Sequence, residues 1–84
     1  MPPKFPGMPP GTELFDVRPM LAEGLEPFDA IQERWSALNP DGWLLLRTPF
    51  FPKPLIAHFS VLGVQVLPYD AGPGDFWLLL GPKP

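Results

Sequence analysis

Eighty-four residues, 45% of them hydrophobic, make one domain with enough apolar side chains for a packed core and no length for a second. With no cysteine and one histidine, His58, the chain excludes disulfides, thiolate catalysis, cysteine-ligated zinc and a histidine-based metal site within one chain. A formal net charge of −3, with Glu13, Asp16, Glu23, Glu26, Asp29 and Glu33 in a span that holds one cation, Arg18, counts against nucleic-acid binding.

The first twelve residues, "MPPKFPGMPPGT", hold five prolines and two glycines, so residues 1–12 read as a disordered proline-rich tail ahead of a domain over 13–84. Such a tail suits an SH3-type ligand or a plain solvated terminus. It has no apolar run of the kind a signal peptide needs. The runs "WLLL" and "FWLLL" are too short to cross a bilayer, so a soluble cytoplasmic protein without membrane contact is expected.

From Glu13 the pattern becomes regular. "ELFDV" (13–17) predicts a short strand and "RPMLAEGLE" a loop. A helix is expected from about Pro27 to Leu38, because proline at the first helical position loses no hydrogen bond and Phe28, Ile31, Trp35 and Leu38 recur at helical spacing. "NPDG" (39–42) is a turn, "WLLLR" (43–47) a strand, and "TPFFPKP" a proline-stiffened loop. "LIAHFSVLG" predicts a second helix with Leu55, Phe59 and Leu62 on one side and Gly63 as its end. "VQVLP" (64–68) and "FWLLL" (76–80) are strands joined by the turn "YDAGPGD". The fold class is α+β: a two-layer α/β sandwich, β-α-β-α-β-β, with two helices on one face of a four-stranded mixed sheet.

The segments "LFDVRP", "GLEPFDAI" and "LLLRTPFFPKPLIAHFSVLGVQV", with a closing strand that begins "GDFW", resemble the SirA/TusA-like superfamily over roughly residues 13 to 80. The match is closest to a bacterial branch that lacks the cysteine and carries an "EPF" start to the first helix and a "PxPL" start to the second. The resemblance implies the same sandwich, similar to the carboxy-terminal domain of bacterial translation initiation factor three. In sulfur-carrier members a Cys-Pro-x-Pro motif opens the first helix and its thiol carries a persulfide. Setting Pro27 against the second proline of that motif puts Gly24 at the cysteine position, so persulfide relay has no nucleophile here.

Residue by residue, the candidate sites are few. Glu26 and Asp29 either cap the first helix or hold a cation or a basic loop. In "TPFFPKPL", Phe50 and Phe51 cannot both face the core, so one is expected at the surface. Lys53 and Arg18 could offer positive charge to an anionic ligand, with His58 beside them, or the prolines simply hold the loop. His58 has no neighbouring Asp or Ser that would make a triad. No catalytic residue, metal ligand or cofactor site is therefore assigned.

Strand alternation places Phe15, Val17, Leu44, Leu46, Val64, Val66, Phe76, Leu78 and Leu80 toward the helices. The opposite face then carries Leu14, Trp43, Leu45, Leu67, Trp77 and Leu79. Two available tryptophans alone would present roughly 300–500 Å², the size at which exposed apolar patches mark interfaces. A second copy or another protein over this face is expected, unless a helix or the proline tail covers it. The function expected is that of a non-catalytic interaction or regulatory module on a sulfur-carrier-like fold. The alternative is a binder of small anions or sulfur metabolites between the first helix start and the "PFFPKP" loop.

Overall fold

A computed structural model of the chain describes residues 9–83. Its elements are β1 (Glu13–Asp16), α1 (Arg18–Ala22), α2 (Phe28–Ala37), β2 (Leu44–Thr48), α3 (Lys53–Val61), β3 (Gln65–Asp70) and β4 (Phe76–Gly81). The strands form one sheet in the order β1-β2-β4-β3. β1 is parallel to β2, and β4 is antiparallel to both of its neighbours. The α+β class and the four-stranded mixed sheet are as expected. The crossover through α3 carries the chain past β2 to the far edge, and the β3–β4 hairpin then returns β4 to the centre.

The described residues hold three helices rather than two. The residues expected to form a loop after β1 make α1, with Pro19 in its first turn, where no hydrogen bond is lost. The helix closes by donation from the Gly24 amide to the Leu21 carbonyl (3.0 Å) and from the Leu25 amide to the Met20 carbonyl (2.9 Å). This paired closure needs a left-handed residue after the cap, and Gly24 supplies it at φ 76. The position matched to the sulfur carrier's cysteine is thus the closing residue of a helix.

Between helices and sheet lie Val17, Ile31, Leu44, Leu46, Phe59, Leu78 and Leu80, with Leu21, Trp35 and Leu55 packed against them. Each helix contributes at least one side chain, which is why α1 holds its place despite its five residues. Leu62 departs from its expected core position: α3 stops at Val61, Leu62 caps it and is exposed, and Ile56 packs inward instead. Pro68 lies inside β3 rather than at its end, which an edge strand tolerates because no ladder donor is needed on its outer side.

The other face of the sheet also follows the expected alternation. Leu14, Leu45, Leu79 and Leu67 form one row across the strands, and Asp16, Arg47, Trp77 and Tyr69 the next. Its exposure does not follow the expectation. Leu45 and Trp77 are 2% exposed and Leu79 1%, within a single chain, and of the six named residues only Leu14 and Leu67 are exposed. Trp43, one residue ahead of β2, packs against this cluster, and the Arg47 guanidinium sits 4.6 Å above the Trp77 ring. The Trp43 ring occupies the space that a side chain at Gly81 would fill. Of the expected tail, residues 1–8 lie outside the described residues. Residues 9–12 turn, with the Thr12 hydroxyl donating to the Pro9 carbonyl at 2.7 Å.

Candidate functional site: the corner between the start of α2 and the loop before α3

The "TPFFPKP" loop is held at both ends. Thr48, buried at the end of β2, donates its hydroxyl to the Phe50 carbonyl at 2.6 Å. Pro52 is buried at φ −83 and ψ 57, the centre of an inverse γ-turn that the Lys53 amide closes on the Phe51 carbonyl at 2.9 Å. Phe50 and Phe51 stand between these anchors. Phe50 is 50% exposed and Phe51 51%, so both phenylalanines, not one, are at the surface. Phe51 leans edge-on against Phe76 with 6.1 Å between centroids.

The facing wall is the start of α2. Pro27 is buried, and Glu26 accepts the Phe28 amide hydrogen on Oε1 at 2.9 Å. Asp29 lies in the first turn and Arg34 in the last, each the sign that the helix dipole favours at its end. The capping role of Glu26 is thereby observed. Leu25, which ends the closure of α1, is a further half-exposed apolar side chain beside Glu26.

Between the two walls lies a pocket of about 210 Å³ lined by Leu21, Glu26, Pro27, Phe28, Phe50, Pro52, Pro54 and Leu55. It lies where a ligand is expected from the sequence, but its chemistry is different. Arg18, Lys53 and His58 do not line it. Arg18 grips Asp16 with both prongs, at 2.8 Å for the shorter ion-pair contact. Lys53 opens α3 with its side chain exposed. His58 is held 3.1 Å from the Gln32 amide oxygen and meets the Phe28 ring edge-on at 4.9 Å. These placements make His58 a packing residue between α2 and α3, and leave the pocket walled by carbon with one carboxylate. Two other hollows, of about 450 and 500 Å³, lie at Trp35–Lys83 and at Phe15–Arg34 and have more polar, more open walls.

A separate cluster of charge, Asp16, Arg18, Arg47 and Asp75, lies at the far side of the sheet. Arg47 makes a two-pronged pair with Asp75 at 2.8 and 2.9 Å while covering Trp77. The hydrogen bond from Arg18 holds the Asp16 carboxyl below the usual carboxylate range against the opposing effect of burial, and Arg47 does the same for Asp75. Each cation of this cluster is already engaged by a carboxylate, so it presents no free anion-binding fork.

Leu21 and Leu25 escape a reading of the sequence because the helix that positions them is too short to show a period. Its signal is present in other form: proline one residue into "RPMLA" and glycine just past its end, at helical length. The dimer-face residues Leu14, Trp43, Leu45, Leu67, Trp77 and Leu79 do share one side of the sheet, but the structure does not leave them available as a set. No family model, curated protein or solved structure matches the chain, and the sulfur-carrier resemblance rests on the quoted motifs alone.

Proposed function

We propose that the protein is a non-catalytic protein-interaction module on a sulfur-carrier-like sandwich, and that its working surface is the corner around Leu25, Phe50 and Phe51. One observation carries this: three large apolar side chains stand half-exposed on conformationally fixed segments beside an apolar pocket. Apolar surface held out of the core by two backbone anchors is surface that a partner can bury without first ordering it. The resemblance adds that the relatives' thiol position is Gly24 here, at a left-handed backbone angle that closes a helix.

The homodimer across the sheet loses its main support, because the central residues of that face are buried in one chain and only its rim is exposed. The anion-binding alternative has no favouring geometry, since the cations it would use lie off the pocket.

A tagged chain used as bait in extract of the source cell tests the reading, with Phe50→Ser/Phe51→Ser as the paired variant. A protein captured by the parent and lost by the variant, with circular dichroism unchanged, supports it. A capture profile identical for the two overturns it, as does a thermal shift produced by oxyanions and abolished by Lys53→Gln. Sedimentation velocity at micromolar concentration checks the sheet-face dimer and is expected to show a monomer.

A further inference from the structure

The corner's shape and charge narrow the class of partner, an inference that rests on the interaction reading above. The pocket, at about 210 Å³, is on the scale of cavities that take one benzene-sized guest, roughly 150 Å³. It admits a single large side chain, not a helix face. Its walls include the rings of Pro27, Pro52 and Pro54 and of Phe28 and Phe50 beside Leu21 and Leu55. Phe28 and Phe50 give it an aromatic lining, the kind of surface on which extended, proline-rich segments dock, and such segments are pre-ordered and lose little freedom on binding.

Charge sets the second requirement. Glu26 is, among the described residues, the one charged residue of the pocket wall, and Glu23 and Asp29, within three residues of it, are exposed. Among the described residues none of the three is ion-paired.

We propose that the corner binds an extended proline-containing segment that places an aromatic side chain in the pocket and an adjacent lysine or arginine against Glu26. The chain's own residues 2–10, "PPKFPGMPP", have this pattern and supply a probe of defined composition.

The test is a titration of ¹⁵N-labelled full-length chain with the synthetic peptide PPKFPGMPP, followed by amide shifts. The labelled chain carries Lys4→Glu and Phe5→Ala so that its own segment does not compete. Saturable shifts are expected at Phe28, Phe50 and Leu55. A peptide with alanine for the phenylalanine should bind at least fivefold more weakly, as for loss of an anchoring side chain. A peptide with glutamate for the lysine should bind about two- to fivefold more weakly, the range of an exposed ion pair. Pairing that peptide with a Glu26→Lys chain should restore the lost factor.

No shift up to millimolar peptide, shifts centred on Trp43 and Trp77 instead, or equal binding of the alanine peptide would overturn the partner class. If the peptide fails while a captured protein still depends on Phe50 and Phe51, the interaction reading stands and only the class of partner falls. If both fail together, the corner is not a binding surface.

Discussion

Leu45, Trp77 and Leu79 are shut away on the sheet face opposite the helices, while Leu25, Phe50 and Phe51 stand half in solvent at the corner between α2 and α3. Both surfaces are apolar in sequence, and on that ground each could meet a partner. The difference lies in what surrounds them. On the sheet, β2 and β4 are central strands with a paired neighbour on each side, Trp43 packs against the Leu45, Trp77 and Leu79 cluster, and the Arg47 guanidinium lies over the Trp77 ring. At the corner the backbone is fixed by the Thr48 hydrogen bond and the Pro52 turn, and Phe50 and Phe51 remain half exposed. Burial is worth about 25 cal/mol per Å² of apolar surface, so the corner retains free energy that the sheet has already realised. An apolar pattern assigns a face; local backbone geometry decides whether that face stays open.

The largest expected effect breaks this comparison directly. Leu78 and Leu79 are adjacent on β4, point to opposite faces and are both fully buried. Leu78→Ala and Leu79→Ala should therefore each cost about 2–5 kcal/mol, the range for emptying a closed core position. Phe51→Ala should cost far less, because much of its surface is already in water. Urea denaturation with equal slopes for all three variants measures this. A Leu79→Ala cost under half that of Leu78→Ala would mean that the sheet face is open in solution.

Next comes Gly81→Ala, which asks whether Trp43 belongs to the cover. The added Cβ would occupy the place of ring carbons of Trp43, so either the ring leaves or the hairpin shifts. A loss of about 1–3 kcal/mol is expected, as for overpacking, with a red shift of the tryptophan emission in the folded state. An unshifted spectrum at parental stability would place the ring elsewhere.

The strands and the long helices were legible from their patterns: alternation in "VQVLP", short continuous apolar runs in "WLLLR" and "FWLLL", and Phe28, Ile31 and Trp35 at helical spacing. The first helix was not, because five residues hold too few apolar positions for a period to show and its signal lies in capping residues alone. The corner was half legible. The prolines marked a rigid loop, but a γ-turn at Pro52 and a side-chain bond from Thr48 are tertiary facts, and they are what turns both phenylalanines outward. Burial of Trp77 was illegible for the same reason: its cover includes Arg47, a residue whose sequence neighbours give no hint of a ring beneath it.

A smaller effect tests the unanticipated helix. A Cβ added at Gly24 would meet nothing within 4 Å, so space does not constrain the position, and only its φ of 76 does. Gly24→Ala should cost about 1–2 kcal/mol, the penalty of a left-handed conformation for an ordinary residue, and Gly24→Asn less than alanine, since asparagine visits that region more readily. Thermal melts of the two variants give the ranking. Equal stability of both with the parent would mean that the closure of α1 does not hold in solution, and the Leu25 side of the corner would lose its fixed position.

The smallest expected effect concerns the charges that close the sheet face. Because hydrogen bonds from Arg18 and Arg47 lower the folded-state pKa values of Asp16 and Asp75, the folded chain holds these carboxylates ionised at pH values where the unfolded chain takes up protons. The stability they add is complete above the unfolded aspartate pKa of about 3.9 and is lost as pH falls from there through the lowered folded values. Urea midpoints should therefore be level from neutrality to about pH 5 with respect to these two groups and fall below it. Asp75→Asn should flatten that fall while lowering the plateau slightly, since both carboxylates share one partially screened cluster. Arg47 would at the same time lose the partner that steadies it above Trp77, so the variant's tryptophan emission at neutral pH should resemble that of the parent under acid conditions. An acid limb of unchanged slope in Asp75→Asn would mean that this ion pair forms no part of the cover over Trp77.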